Sequence, residues 1–257
     1  ARARRAGAAL REAFPGPVAR AVIEGRTLEP VHREMASVFF SDIVGFTTLC
    51  SSMKPAKVSD MLNRLFRKFD GLAQTHGVQK IDVIGDAYLA AANLLEDQPA
   101  DHAARLARFA VDAMKAARET PADDADPARS GLLQLRIGLH CGPVAGTVVG
   151  SQGLKFTLMG DAVNVASRME STCAPCRIQC SEQFAAVVEE QAHEIILKTR
   201  EGGVEAKGKG HLETYWVSSL RQGLRTWGST VNLGIAAPRR GSLHVDDLAA
   251  PDAGALA

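Results

Sequence analysis

Two short apolar runs, VFFSDI over residues 38–43 and KIDVIGDAYLAA over 80–91, each carry an aspartate beside a glycine-containing break. Their lengths, their aromatic and branched side chains and the turns that close them mark buried strands rather than helices. The second run folds back at Gly85 and Asp86, making a hairpin of VQKIDVI and AYLAAANL. Between the runs, residues 57–76 place Met61, Leu62, Leu65, Phe66 and Phe69 on one helical face. Strand, helix, then hairpin is not the strict alternation that builds a parallel sheet. It predicts an antiparallel α+β sheet of the ferredoxin-like kind with flanking helices.

The rest of the chain fits that class. Residues 101–120 form a second amphipathic helix through Leu106, Phe109, Ala110, Ala113 and Met114, followed by the polar loop PADDADPARSG. LLQLRIGLH (132–140) and TVVGS (147–151) read as two strands, 161–170 and 181–190 as helices, and EIILKT and TYWVSS as late strands. Three regions result. Residues 1–34, rich in Arg and Ala, hold a short helix after Pro17 and lead in from an upstream region. Residues 35–218 form the domain, and 219–257, with scattered Gly and Pro, form a disordered tail.

Composition excludes some classes. A net charge of +1 lacks the basic excess of a nucleic-acid binder. No run approaches the roughly 18 apolar residues that span a bilayer, and the opening ARARRAGAALREAF has no secretory core. The chain starts at Ala1, and we expect a fragment of a longer protein. Five cysteines are an odd set. Cys173 and Cys176 lie in a C-x-x-C, yet the second ligand pair of a zinc site is missing nearby, so free thiols in a reducing cytosol are expected.

Carboxylates at strand ends beside glycine hold hard cations against phosphate, which makes Asp42 and Asp86 candidate metal ligands; each alone could be a turn or N-cap aspartate. Gly45 lets backbone approach a phosphate closely, or simply makes a turn. Asn164 and Arg168, four residues apart, share a helix face as a binding pair or an exposed polar stripe. Arg136 is equally placed to face phosphate or not, and His140 reads as a packed, hydrogen-bonded histidine.

Taken together, FFSDIVGFT, KIDVIGDAY, LRIGLHCGPVAGTVVG, FTLMGDAVNVASRMEST and EAKGKGHLETYWV resemble, in order and spacing, the successive motifs of class III nucleotidyl cyclases. The resemblance covers residues 38–217. It implies a head-to-tail dimer, with two divalent ions (Mg2+ or Mn2+) on Asp42, Asp86 and the Ile43 carbonyl. The amides of Val44, Gly45, Phe46 and Thr47 would cradle the outer phosphates, with Lys209 reaching the triphosphate. Asn164 would orient the ribose, and Arg168 would meet charge developing at the α-phosphate. No protein base is implied. An upstream sensor or regulatory domain and a cytoplasmic setting, free or as part of a membrane protein, follow from the same likeness. A diguanylate cyclase or polymerase motif is absent.

Base choice in such domains rests on two positions, here Asp82 and Thr157. A carboxylate only accepts, and guanine offers N1–H and its 2-amino group as adjacent donors, whereas adenine N1 is an acceptor. GTP converted to cyclic GMP is therefore expected, with ATP as the alternative substrate and an inactive dimerisation domain as the remaining one. Lys80, two residues before Asp82, is expected on the same strand face.

Overall fold

The computed structural model describes residues 10, 14–26, 29–150 and 154–219. The expected disordered tail lies outside the described residues except for Ser219. Helix α1 (Gly16–Ile23) leads into strand β1 (Val31–Ile43), followed by α2 (Phe46–Ser52), α3 (Pro55–His76), the hairpin β2 (Gln79–Ile84) and β3 (Ala87–Ala92), and α4 (His102–Arg118). A short α5 (Pro127–Ser130) interrupts the polar loop, its N-terminus closed by the Asp126 side chain accepting from the Arg129 amide. Then come β4 (Leu135–Val149), β5 (Lys155–Met159), α6 (Asp161–Ser171), β6 (Arg177–Ser181), α7 (Glu182–Gln191), β7 (Ile195–Thr199), β8 (Val204–Ala206), β9 (Gly210–Leu212) and β10 (Thr214–Ser219).

One sheet runs β2-β3-β1-β4-β6-β10-β7, with β5 also on β4; only β4 and β6 are parallel. The expected α+β class with an antiparallel-dominated sheet and flanking helices is therefore observed. Helices α3, α4 and α7 cover one face over a core that includes Phe39, Phe69, Tyr88 and Phe109. These rings meet edge-on or tilted at centroid distances of 4.9–6.4 Å. Helices α1 and α6 lie against the other face, where Val18, Ala36, Val38, Leu89, Ala162 and Ala166 form a second cluster.

Two readings need correction. The strands expected at 132–140 and 147–151 are one strand, β4. Pro143 sits inside it because β1 bulges between Arg33 and Ala36 at that level, so no ladder amide is demanded there. Lys80 and Asp82 do not share a face. A bulge at Ile81 pairs Lys80 with Ala90 and Asp82 with Leu89. Ala90 belongs to the core under α3 and α4, and Leu89 to the opposite one. Lys80 Nζ accordingly reaches Asp70 of α3 at 2.8 Å, while Asp82 looks the other way.

Glycine makes the seat for α6. A Cβ at Gly138 would meet the Ala166 carbonyl at 2.5 Å and the Glu170 amide closer still. The helix backbone therefore rests directly on β4, and Arg136 and His140, two residues to either side, face the same helix.

Candidate active site

Asp42 is the penultimate residue of β1, and Asp86 closes the tight turn between β2 and β3, where Gly85 adopts φ 66°. The Ile43 amide donates to Asp86 Oδ2 at 3.2 Å and draws the turn against the strand end. Burial, and then the Asp42 carboxylate beside it, push the Asp86 carboxyl up to about 6. A carboxylate held close enough to raise its neighbour Asp86 marks a site short of positive charge. Among the described residues no three His, Cys, Asp or Glu side chains converge. The two carboxylates and the Ile43 carbonyl are a hard, all-oxygen donor set that fits a divalent cation also taking water and phosphate oxygens.

Arg136, which the sequence left undecided, is the register partner of Asp42 across the β1–β4 ladder. Its Nη2 donates to Asp42 Oδ2 and its Nε to Glu170 Oε1 at 3.0 Å. Burial raises the Glu170 carboxyl, against the pull of Arg136.

Beyond Ile43 the chain turns at Gly45 (φ 72°) into α2. The Val44 amide already donates to the Gln134 carbonyl at 2.9 Å, so a phosphate cradle here has only Gly45, Phe46 and Thr47 to draw on. Those three amides find no acceptor among the described residues.

Asp82, aimed by the bulge, meets a partner that sequence reasoning missed. Lys155 Nζ lies 2.6 Å from its Oδ2, and the Val83 amide holds Oδ1 at 2.8 Å. Lys155 and Thr157 project from one side of β5 while Phe156 and Leu158 bury on the other. The signal for Lys155 was its spacing from Thr157, unusable until β5 itself was recognised.

On α6, Asn164 is exposed and Arg168 half-buried, and neither side chain has a partner among the described residues. Their helix buries Val165 and Met169 against Val204 of the β8–β9 ribbon. That ribbon carries Lys209, whose Nζ reaches Asp161 at the start of α6 at 2.5 Å. Among the described residues no hydrogen bond or ion pair joins Asn164, Arg168 or Lys209 to Asp42 or Asp86.

His140 is buried, with Nδ1 2.6 Å from Ser181 Oγ, and burial drops its pKa to about 4. Neutral and engaged, it is the packed histidine expected. Burial also pushes the Cys173 thiol up to about 12, far from a metal-ready thiolate.

The Adenylate and Guanylate cyclase catalytic domain family matches residues 28–219. Over 215 residues the chain is 40% identical to Receptor-type guanylate cyclase gcy-23 of Caenorhabditis elegans, covering 83% of this chain and 20% of that protein. It is 39% identical over 206 residues to Guanylate cyclase 2G of Rattus norvegicus, covering 80% of this chain and 18% of that one. The chain thus spans about a fifth of the length of these relatives. Among solved structures, the guanylate cyclase domain of RhGC from Catenaria anguillulae in complex with GTP superposes with a TM-score of 0.66 at 35% identity, covering 73% of this chain and 98% of that one.

Proposed function

The chain belongs to the adenylate and guanylate cyclase catalytic domain family, and on that premise we propose that it converts GTP to 3′,5′-cyclic GMP and pyrophosphate. The observation that carries the base choice is the edge formed by Asp82, Lys155 and Thr157. Guanine presents an acceptor at O6 and donors at N1 and the 2-amino group. Lys155 and the Thr157 hydroxyl supply donors, and Asp82 supplies the acceptor. One feature favours ATP instead: Lys155 Nζ is a donor that adenine N1 could accept.

Two divalent cations held by Asp42, Asp86 and the Ile43 carbonyl would favour ionisation of the ribose 3′-hydroxyl and offset charge on the leaving pyrophosphate. The amides of Gly45, Phe46 and Thr47 would hold the outer phosphates, and Lys209 would leave Asp161 to join them. Asn164 would fix the ribose and Arg168 would donate to the α-phosphate oxygens as charge builds. His140, buried and bonded to Ser181, is not the group that takes the hydroxyl proton.

Among the described residues no hydrogen bond or ion pair joins the side chains of Asn164, Arg168 or Lys209 to the carboxylate pair of the same chain. Ile84 and Met159, beside the base-site strands, are 56% and 51% exposed. Both features suit a head-to-tail pair of chains in which each site draws on both. Among the described residues no helix is long and apolar enough to cross a membrane. We place the domain in the cytoplasm, alone or as part of a membrane protein, under an upstream sensor.

The direct test is product formation from GTP and ATP in parallel, with Mn2+ and Mg2+. Cyclic GMP should form at least about tenfold faster. Equal rates overturn the base reading, and no product from either overturns the cyclase reading. For assembly, mixing inactive Asp42→Ala and Arg168→Ala chains should restore one working site per mixed dimer; proven mixed dimers without activity would place each site within one chain.

A further inference from the structure

Asp42, Arg136 and Glu170 form a line across β1, β4 and α6, and the proposed chemistry uses only Asp42 of the three. The guanidinium donates forward to Asp42 on β1 and backward to Glu170 on α6. The rear anchor is rigid. The Glu170 backbone sits on Gly138, two residues along β4 from Arg136, so closely that a Cβ there has no space. Side-chain exposure is 23% at Asp42, 30% at Arg136 and 12% at Glu170, so the rear acceptor is the most buried of the three. Such a half-buried charge-assisted pair is held far better than a surface ion pair.

We infer that Glu170 is a positioning residue for the cation site, restraining Arg136 so that a divalent ion can take Asp42 from it. The inference rests on the proposed assignment of Asp42 as a cation ligand. Arg136 and the ion compete for one carboxylate. With Glu170 ionised, the guanidinium keeps a strong second acceptor when it yields Asp42. Without that charge the second acceptor is weaker, and the guanidinium leans more on Asp42 and opposes the ion. The helix that bears Glu170 also bears Asn164 and Arg168, which in the proposed head-to-tail pair serve the other site, so filling one cation site loads a helix of its neighbour.

Glu170 and Arg136 give opposite signs, which loss of structural integrity would not. Mn2+ binding to the nucleotide-free chain, read by electron paramagnetic resonance, should weaken by more than about threefold in Glu170→Gln. It should tighten in Arg136→Ala. In an Arg136→Ala background, adding Glu170→Gln should change affinity by less than about twofold, since Glu170 acts through the guanidinium. Unchanged affinity in Glu170→Gln, or the full effect persisting without Arg136, overturns the inference. If Asp42→Ala binds Mn2+ as the parent does, the cation-site assignment itself fails; if it loses Mn2+ while Glu170→Gln keeps it, only the positioning role fails. Melting curves of each variant separate these outcomes from unfolding.

Discussion

Asp42→Ala and Asp86→Ala chains are expected to form no measurable cyclic nucleotide while remaining folded and dimeric. Removing either carboxylate takes away half of the side-chain oxygens available to the ions, a loss on the order of a hundredfold or more in turnover. The fold should tolerate the loss of Asp86 well. Its carboxyl is raised to about 6, above its ordinary 3.8, by burial and by Asp42. A group raised in the folded state costs stability once ionised: the cost grows as pH climbs from about 4 to 6 and stays in full above that. Without added metal, Asp86→Asn should therefore melt at or above the parent at pH 7, and the gap should close near pH 4. Residual activity above a few per cent, on the order of what loss of a metal ligand permits, would sink the two-ion assignment. A lower melting temperature for Asp86→Asn at pH 7 would show that the turn needs the carboxylate for itself.

The second large effect concerns the base. Asp82→Lys should move the ratio of kcat/KM for GTP over ATP by more than about tenfold toward ATP, roughly 1.4 kcal/mol. The substitution removes the acceptor for guanine N1–H and supplies a donor for adenine N1. It also sets two ammonium groups together, because Lys155 stands 2.6 Å from the Asp82 carboxylate. The cleaner variant is therefore Asp82→Lys with Lys155→Gln, which should shift the ratio further and recover overall rate. Asp82→Glu should keep the preference for GTP. An unchanged ratio in both lysine variants would show that the base is read elsewhere.

What could be read from the residues depended on how far apart the partners lie in the chain. The hairpin around Gly85 and Asp86 is local, and so were α3, α4 and the class of sheet. Asp42 and Asp86 stood out because both lie at ends of apolar runs. Arg136 did not, because its two acceptors lie 94 and 34 residues away. The two strands read at 132–140 and 147–151 left Pro143 in the gap between them. Gly-Pro marks a break unless the neighbouring strand bulges at the same level, and that depends on Glu34 and Met35, about a hundred residues earlier. The Val44 amide looked as free as its neighbours until Gln134 arrived from across the sheet. Lys155 was invisible because KFTLM is too short and too mixed to declare itself a strand.

If Asp82 reads the base as proposed, the irregularity at Ile81 bears on how substrate preference is inherited. In an unbroken strand, residues 80 and 82 would travel together, and the cation and the carboxylate would compete for the same pocket. Here the extra residue works as a phase selector. It decides which of two neighbouring charges is exposed to the base before either side chain's chemistry matters. Moving that extra residue out from between them would bring both charges, or neither, to the pocket without changing a letter of KID. Two relatives alike at these columns can then differ in the nucleotide they take, through changes at Leu89 or Ala90 on the facing strand that shift the pairing. Comparing residue identities alone would assign them the same substrate.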